Sequence, residues 1–173
     1  VKQAGQFRSG GVGIFRGTQV VHMAPPAEMV YSHISNLLQW AESSKEHPLI
    51  KSCVFHYEFE YIHPFLDGNG RMGRMWNTLL LYEWKPIFAW IPVESIIRER
   101  QADYYDALGQ ADSRADAAPF VEFLLQAILD TLKSFEQHPL SNTDNSTPPH
   151  IRLFLEALGD EELSITELMQ RLG

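Results

Sequence analysis

The twelve residues His63-Pro64-Phe65-Leu66-Asp67-Gly68-Asn69-Gly70-Arg71-Met72-Gly73-Arg74 combine a candidate base, a carboxylate, a two-glycine turn and two arginines. Gly68-Asn69-Gly70 reads as a turn that opens a helix, because Met72, Met75, Trp76, Leu79 and Leu80 follow at helical spacing. The first amides of a helix have no partner within it, and the helix dipole is positive there. Glycine lets the backbone approach a ligand closely and take positive φ. Such a turn suits a phosphate. Arg71 and Arg74 lie three apart on one helical face, and guanidinium forks match phosphate oxygens two bonds at a time. Asp67 beside a phosphate is repulsive unless a cation lies between them, and Mg²⁺ is the natural choice. His63 ends an apolar run four residues before Asp67 and can accept a proton from an alcohol near neutral pH.

Each feature also has a plain structural role. A Gly-x-Gly can be a turn, a histidine can cap a helix, and two arginines can be a solvated face. Their joint occurrence in twelve residues points instead to a polyphosphate site with a proton acceptor at its edge. At every fixed position the stretch matches His-Pro-Phe-x-Asp/Glu-Gly-Asn-Gly-Arg-x-x-Arg, and the chain resembles the Fic family of nucleotidyl transferases from about Gly5 to Leu132.

The resemblance implies a role for each position. His63 would be the general base that activates a target hydroxyl, and Asp67 would hold Mg²⁺. Asn69 and the amides of Gly68 and Gly70 would cradle the α- and β-phosphates of ATP. Arg71 and Arg74 would hold the outer phosphates, and Phe65 would anchor the loop in the core. The segment from Arg100 to Leu108 resembles the wall of the family's adenine pocket, which places Tyr105 beside the base. Asp112 stands where relatives often carry Asn. The implied reaction moves AMP from ATP to a Ser, Thr or Tyr hydroxyl of a protein and releases pyrophosphate. Two other readings stay open: removal of AMP by the same site, and a DNA-linked regulator that senses nucleotide.

The elements that must position these residues are mostly helical. Val12 to Phe15 and Gln19 to His22 read as two strands around Arg16-Gly17-Thr18. By resemblance this hairpin, residues 12–22, is the flap that docks a target protein as an added strand. Helical periodicity follows from Met29 to Ala41, Pro48 starts the next helix, and the helix from Gly70 to about Trp84 is expected to be the most buried, its Met, Trp and Leu stripe core. Pro92-Val93-Glu94-Ser95 starts another helix, and Phe120 to Phe135 reads as one more. The expected fold is a mostly α Fic-type domain over residues 1–137, a linker over 138–149 and a short helical appendage over 150–173. The appendage resembles the start of a winged helix-turn-helix.

Composition narrows the partners. The chain has 173 residues, a net charge of −8 and one cysteine. One domain with a small appendage fits that length, and a disulfide framework is excluded. Cys53, beside Ile50, Val54 and Tyr57, is expected to be a buried, inert thiol. The acidic balance argues against a nucleic-acid surface, and residues 150–173 carry five acids against two arginines. DNA is therefore not an expected partner of this chain. No apolar run reaches membrane-spanning length, and a cytoplasmic location is expected. A homodimer is compatible with the chain. His56, Glu58, Glu60 and His63 are not read as a zinc site, since their spacing differs from His-Glu-x-x-His. Many relatives are silenced by a helix with Ser/Thr-x-x-x-Glu-Gly/Asn, whose Glu meets the second loop arginine, here Arg74. Only Ser95 and Glu99 have that offset, and Arg100 follows them, so such a helix is expected upstream of Val1 or on a partner chain.

Overall fold

The structure is a computed structural model that describes residues 5–89 and 97–137. Two antiparallel strands, β1 (Gly13–Arg16) and β2 (Gln19–Met23), come first, followed by the helices α1 (Val30–Ser43), α2 (Pro48–Ile62), α3 (Asn69–Trp84), α4 (Gln101–Arg114) and α5 (Ala118–Gln137). Short 3₁₀ turns at Ala27–Met29 and Pro86–Ala89 lead into α1 and out of α3. The expected mostly α architecture with a hairpin near the N-terminus is the observed one.

Helix α2 is the axis of the molecule, and its sequence explains why. It is apolar on every side, the pattern of a helix with neighbours all round. Cys53 and Tyr57 face one core with Leu81, Leu108, Phe120 and Leu124. Phe55, Phe59 and Ile62 face a second core with Val30 and Leu37 of α1. Pro48 sits in the first turn, and the His47 side chain caps the helix by accepting from the Leu49 amide at 3.2 Å. Burial pushes the Cys53 thiol up to about 12, so it is an unreactive core residue.

Helix α3 departs from the expectation that its whole apolar stripe is core. Met72, Trp76 and Leu80 pack against the second core. Met75 and Leu79 are exposed, and Gly73, Asn77 and Leu81 are the buried positions instead. Among the described residues, α2 and the turn at Pro86–Ala89 are what cover α3 closely, whereas α2 is enclosed from several directions.

In the hairpin, Gly13 pairs with Met23 and Ile14 with His22, then a bulge shifts the register so that Phe15 meets Val20 and Arg16 meets Gln19. Gly17 turns the chain at φ +63°, a conformation that suits glycine. The hairpin lies against α4: Ile14 joins the first core, and Val21 packs on it. His22 is buried, its Nδ1 2.7 Å from an Asp112 carboxylate oxygen and its Nε2 2.8 Å from the Tyr61 carbonyl. Arg16 adds an exposed ion pair with Asp106 at 2.7 Å.

The proposed linker (138–149), the appendage (150–173) and the helix start at Pro92-Val93-Glu94-Ser95 lie outside the described residues. Among the described residues no helix is long and apolar enough to cross a membrane.

Candidate active site

The site forms where α2 ends and α3 begins. His63 caps α2 in the left-handed conformation, φ 48° and ψ 60°, while its own N–H still reaches the Phe59 carbonyl at 3.0 Å. That conformation is uncommon for a residue with a side chain and turns the chain sharply into Pro64 and Phe65. The imidazole Nδ1 lies 3.3 Å from the Glu60 carbonyl oxygen. A carbonyl only accepts, so this contact favours the proton on Nδ1 and leaves Nε2 as the base. Burial lowers the His63 pKa; the Glu60 carbonyl raises it, and His22 and Arg8 lower it further. The ring is therefore neutral at neutral pH and able to accept a proton.

The loop itself is braced from within. Asn69 is buried, accepting from the Phe65 amide through Oδ1 at 2.8 Å and donating through Nδ2 to the Phe65 carbonyl at 2.8 Å. Its side chain is committed to the loop, so a ligand would meet Asn69 through its backbone. Phe65 packs between Phe7 and Phe59, with ring centroids 5.7 and 6.4 Å away. This is the anchor expected of it.

Gly68 is the N-cap of α3 at φ +87° and brings no side-chain cap to the first amides of the helix. The positive φ is what suits glycine at Gly68, while a Cβ at Gly70 would meet Arg74 Nη1 at 3.1 Å. Arg71 and Asp67 are exposed and 3.4 Å apart, a weak contact that a stronger partner can displace. Arg71 and Arg74 open onto a groove of about 490 Å³ that continues along Met75, Thr78, Leu79, Tyr82 and Ala89.

Two groups that the motif does not contain stand behind it. Glu60 is buried, with Oε2 3.8 Å from His63 Nδ1 and Oε1 3.9 Å from His56 Nε2. Burial pushes its carboxyl up to about 7, against the pull of Arg74. Gly73 makes this packing possible, since a Cβ there would sit 2.9 Å from Glu60 Oε1 and 3.1 Å from the His56 ring. His56 and Glu60, four apart, share one face of α2, and His63 at its C-cap meets the same Glu60 carboxyl. The offset of four residues carried the first of these signals. Among the described residues no group of three or more His, Cys, Asp or Glu is arranged to hold a metal. The second group is Arg8, buried, with Nε donating to the His63 carbonyl at 2.8 Å. It is 55 residues away in sequence, and no local pattern announces it.

Tyr105 lies on α4, away from the loop. Its ring meets Tyr104 edge-on at 5.5 Å and packs on the first core, and it is not among the residues lining the groove. Asp112, the departure noted in the sequence, is engaged by His22.

The donor set can be tested against Mg²⁺. Asp67 is a single, solvent-facing carboxylate next to an uncapped helix N-terminus. That suits an ion shared with substrate phosphates and water, and does not suit an all-protein cage.

The sequence profile of the Fic/DOC family matches residues 1–81. The protein adenylyltransferase Fic of Nematostella vectensis is 31% identical over 129 residues, 71% of this chain and 29% of that protein. The protein of the same name from Culex quinquefasciatus is 35% identical over 127 residues, 69% of this chain and 24% of that protein. The chain thus spans less than a third of these curated relatives. Among solved structures, a Fic family protein from Desulfovibrio desulfuricans G20 is 54% identical with a TM-score of 0.75, covering all of this chain and 52% of that one. A Fic domain containing signaling protein from Bacteroides thetaiotaomicron shares the fold, at 20% identity and a TM-score of 0.51, over 75% of this chain and 53% of that one. With every fixed position of the loop pattern present between His63 and Arg74, the chain belongs to the Fic/DOC family.

Proposed function

We propose that this chain is the catalytic part of a protein adenylyltransferase that transfers AMP from ATP to a hydroxyl of a target protein. The observation that carries the reading is the junction of α2 and α3. There a histidine whose Nδ1 lies 3.3 Å from the Glu60 carbonyl oxygen adjoins an uncapped helix N-terminus flanked by two arginines. Relatives named protein adenylyltransferase support the choice of group transferred.

The backbone amides of Gly68, Asn69 and Gly70 bind and orient the α- and β-phosphates. Arg71 and Arg74 hold the outer phosphates and so fix which phosphorus faces the acceptor. Asp67 is the residue that would hold Mg²⁺, and the bound ion would neutralise charge on the departing pyrophosphate. His63 Nε2 takes the proton of the target hydroxyl as its oxygen forms a bond to the α-phosphorus. The bond from that phosphorus to the bridging oxygen breaks, and pyrophosphate leaves with the electron pair. The hairpin of residues 12–22 docks the target, with Phe15 and Val20 exposed along it.

Substitution of the base tests the assignment. His63→Ala should bind ATP as the parent does and lose transfer by roughly 10²–10⁴-fold, the usual worth of a general base. Transfer near the parent rate would remove His63 from the mechanism.

A further inference from the structure

We propose that Arg8 is the positioning residue of the candidate base, a clamp that ties both ends of the hairpin to the His63 turn. The inference rests on the reading of His63 as the base. Arg8 is buried, and among the described residues every hydrogen bond of its guanidinium goes to a backbone carbonyl. Nε donates to His63 at 2.8 Å and Nη2 to Ile62 at 3.1 Å. These are the last carbonyls of α2, where the helix dipole is negative and a cation is favoured. Nη2 also donates to Pro25, just after β2, and Nη1 donates to Gly10 at 2.9 Å, just before β1. The backbone N–H of Arg8 closes the set on the Pro64 carbonyl at 2.9 Å.

One side chain therefore grips the two residues that form the end of α2 and the two feet of the hairpin. The left-handed backbone of His63 needs such support, because surrounding contacts must hold a non-glycine residue there. No other side chain type has donors in the directions of four separate carbonyls. Lysine offers one short head with three donors and cannot span the same set. Among the described residues, the charged and titratable groups near the His63 ring are Glu60 from α2, His22 from β2 and Arg8 itself.

The experiment compares the parent chain with Arg8→Lys, Arg8→Gln and His63→Ala, at a temperature well below the melting point of each. Transfer to a target or to the chain itself is followed, with ATP affinity titrated directly and the rate recorded against pH. The expected result for Arg8→Lys is a kcat reduced by roughly tenfold to a hundredfold with ATP affinity unchanged, since the phosphate contacts lie elsewhere. In Arg8→Gln a positive charge leaves the neighbourhood of His63, so the acidic limb of the rate profile should move to higher pH. In Arg8→Lys that limb should stay. Should Arg8→Lys not fold, Arg8→Gln carries the same comparison, since its amide still offers two donors. A normal kcat with only a lowered melting temperature would overturn the proposal and leave Arg8 a structural brace. Loss of ATP affinity in step with transfer would also overturn it. Failure of the underlying reading looks different: His63→Ala itself would remain active.

Discussion

At the scale of single residues, the loop was legible because its chemistry is local. His63, Asp67, the glycines and the two arginines fall within twelve positions, and a turn followed by a helical stripe is a pattern in the sequence. What stood outside that window was not. Glu60, His56 and Arg8 act through distances that only folding creates, and the Asn69 side chain proved to be a brace on Phe65. Gly73 is the sharpest test of this hidden packing. A methyl there would press on the Glu60 carboxyl at 2.9 Å and the His56 ring at 3.1 Å, between two helices that cannot easily part. Gly73→Ala should destabilise the chain by about 1–3 kcal/mol, the usual cost of overpacking, read as a lowered denaturation midpoint. A midpoint equal to the parent would mean that α2 and α3 have room to yield. Asn69→Ala should leave the Phe65 amide and carbonyl without their partner, at a cost of about 1–3 kcal/mol. Calorimetric titration should show weaker ATP binding as well, because the amide nest loses its shape.

Among elements, the hairpin and the helices emerged close to their expected bounds, since proline, glycine and period-two or helical spacing mark them directly. Of the strands observed, Gly13–Arg16 lies one residue later than read at both ends, and Gln19–Met23 starts as read and ends one residue later. The burial of α3 was misjudged, because periodicity reports which side is apolar and not how many neighbours cover it. What holds the hairpin down was equally invisible. His22 on β2 meets Asp112 on α4 and the Tyr61 carbonyl near the end of α2, a contact across 90 residues of chain. If this contact latches the hairpin over the site, Asp112→Ala should loosen it while α2 and α3 stay intact. Amide hydrogen exchange should then accelerate in β1 and β2 and stay unchanged in Phe55, Phe59 and Leu81. Uniform acceleration across all of these would show that Asp112 supports the whole fold instead.

For the whole molecule, Glu60 and His56, two buried groups of α2, give stability a pH dependence with a predictable sign. Burial raises the Glu60 carboxyl from 4.5 to about 7, so the folded state holds that proton more tightly than the unfolded chain. Its contribution is complete below pH 4.5 and is lost as pH rises through about 7. His56 runs the other way. Burial, then the Arg74 charge, lowers it from 6.5 to about 3, so its contribution is present above pH 6.5 and is lost as pH falls toward 3. Between the two ordinary values the effects oppose each other, and above pH 6.5 Glu60 is the one of the pair whose contribution still changes. Glu60→Gln removes the falling limb. Denaturation midpoints of this variant should climb from about pH 5 to about pH 6.5 and then level, gaining on the order of 2 kcal/mol relative to the parent's profile. Parallel profiles would contradict the burial of Glu60. At this scale too, the family of the chain was legible, from one loop, while the network that steadies that loop required the fold. The central claim is that the α-phosphate of ATP is the group transferred, with His63 as the base. It is tested most directly by incubating the chain with Mg²⁺ and ATP labelled on either the α- or the γ-phosphate, beside His63→Ala. The account predicts stable label on protein from α-labelled ATP only, and none with the variant. Label from the γ-phosphate, or equal α-label with His63→Ala, would contradict it.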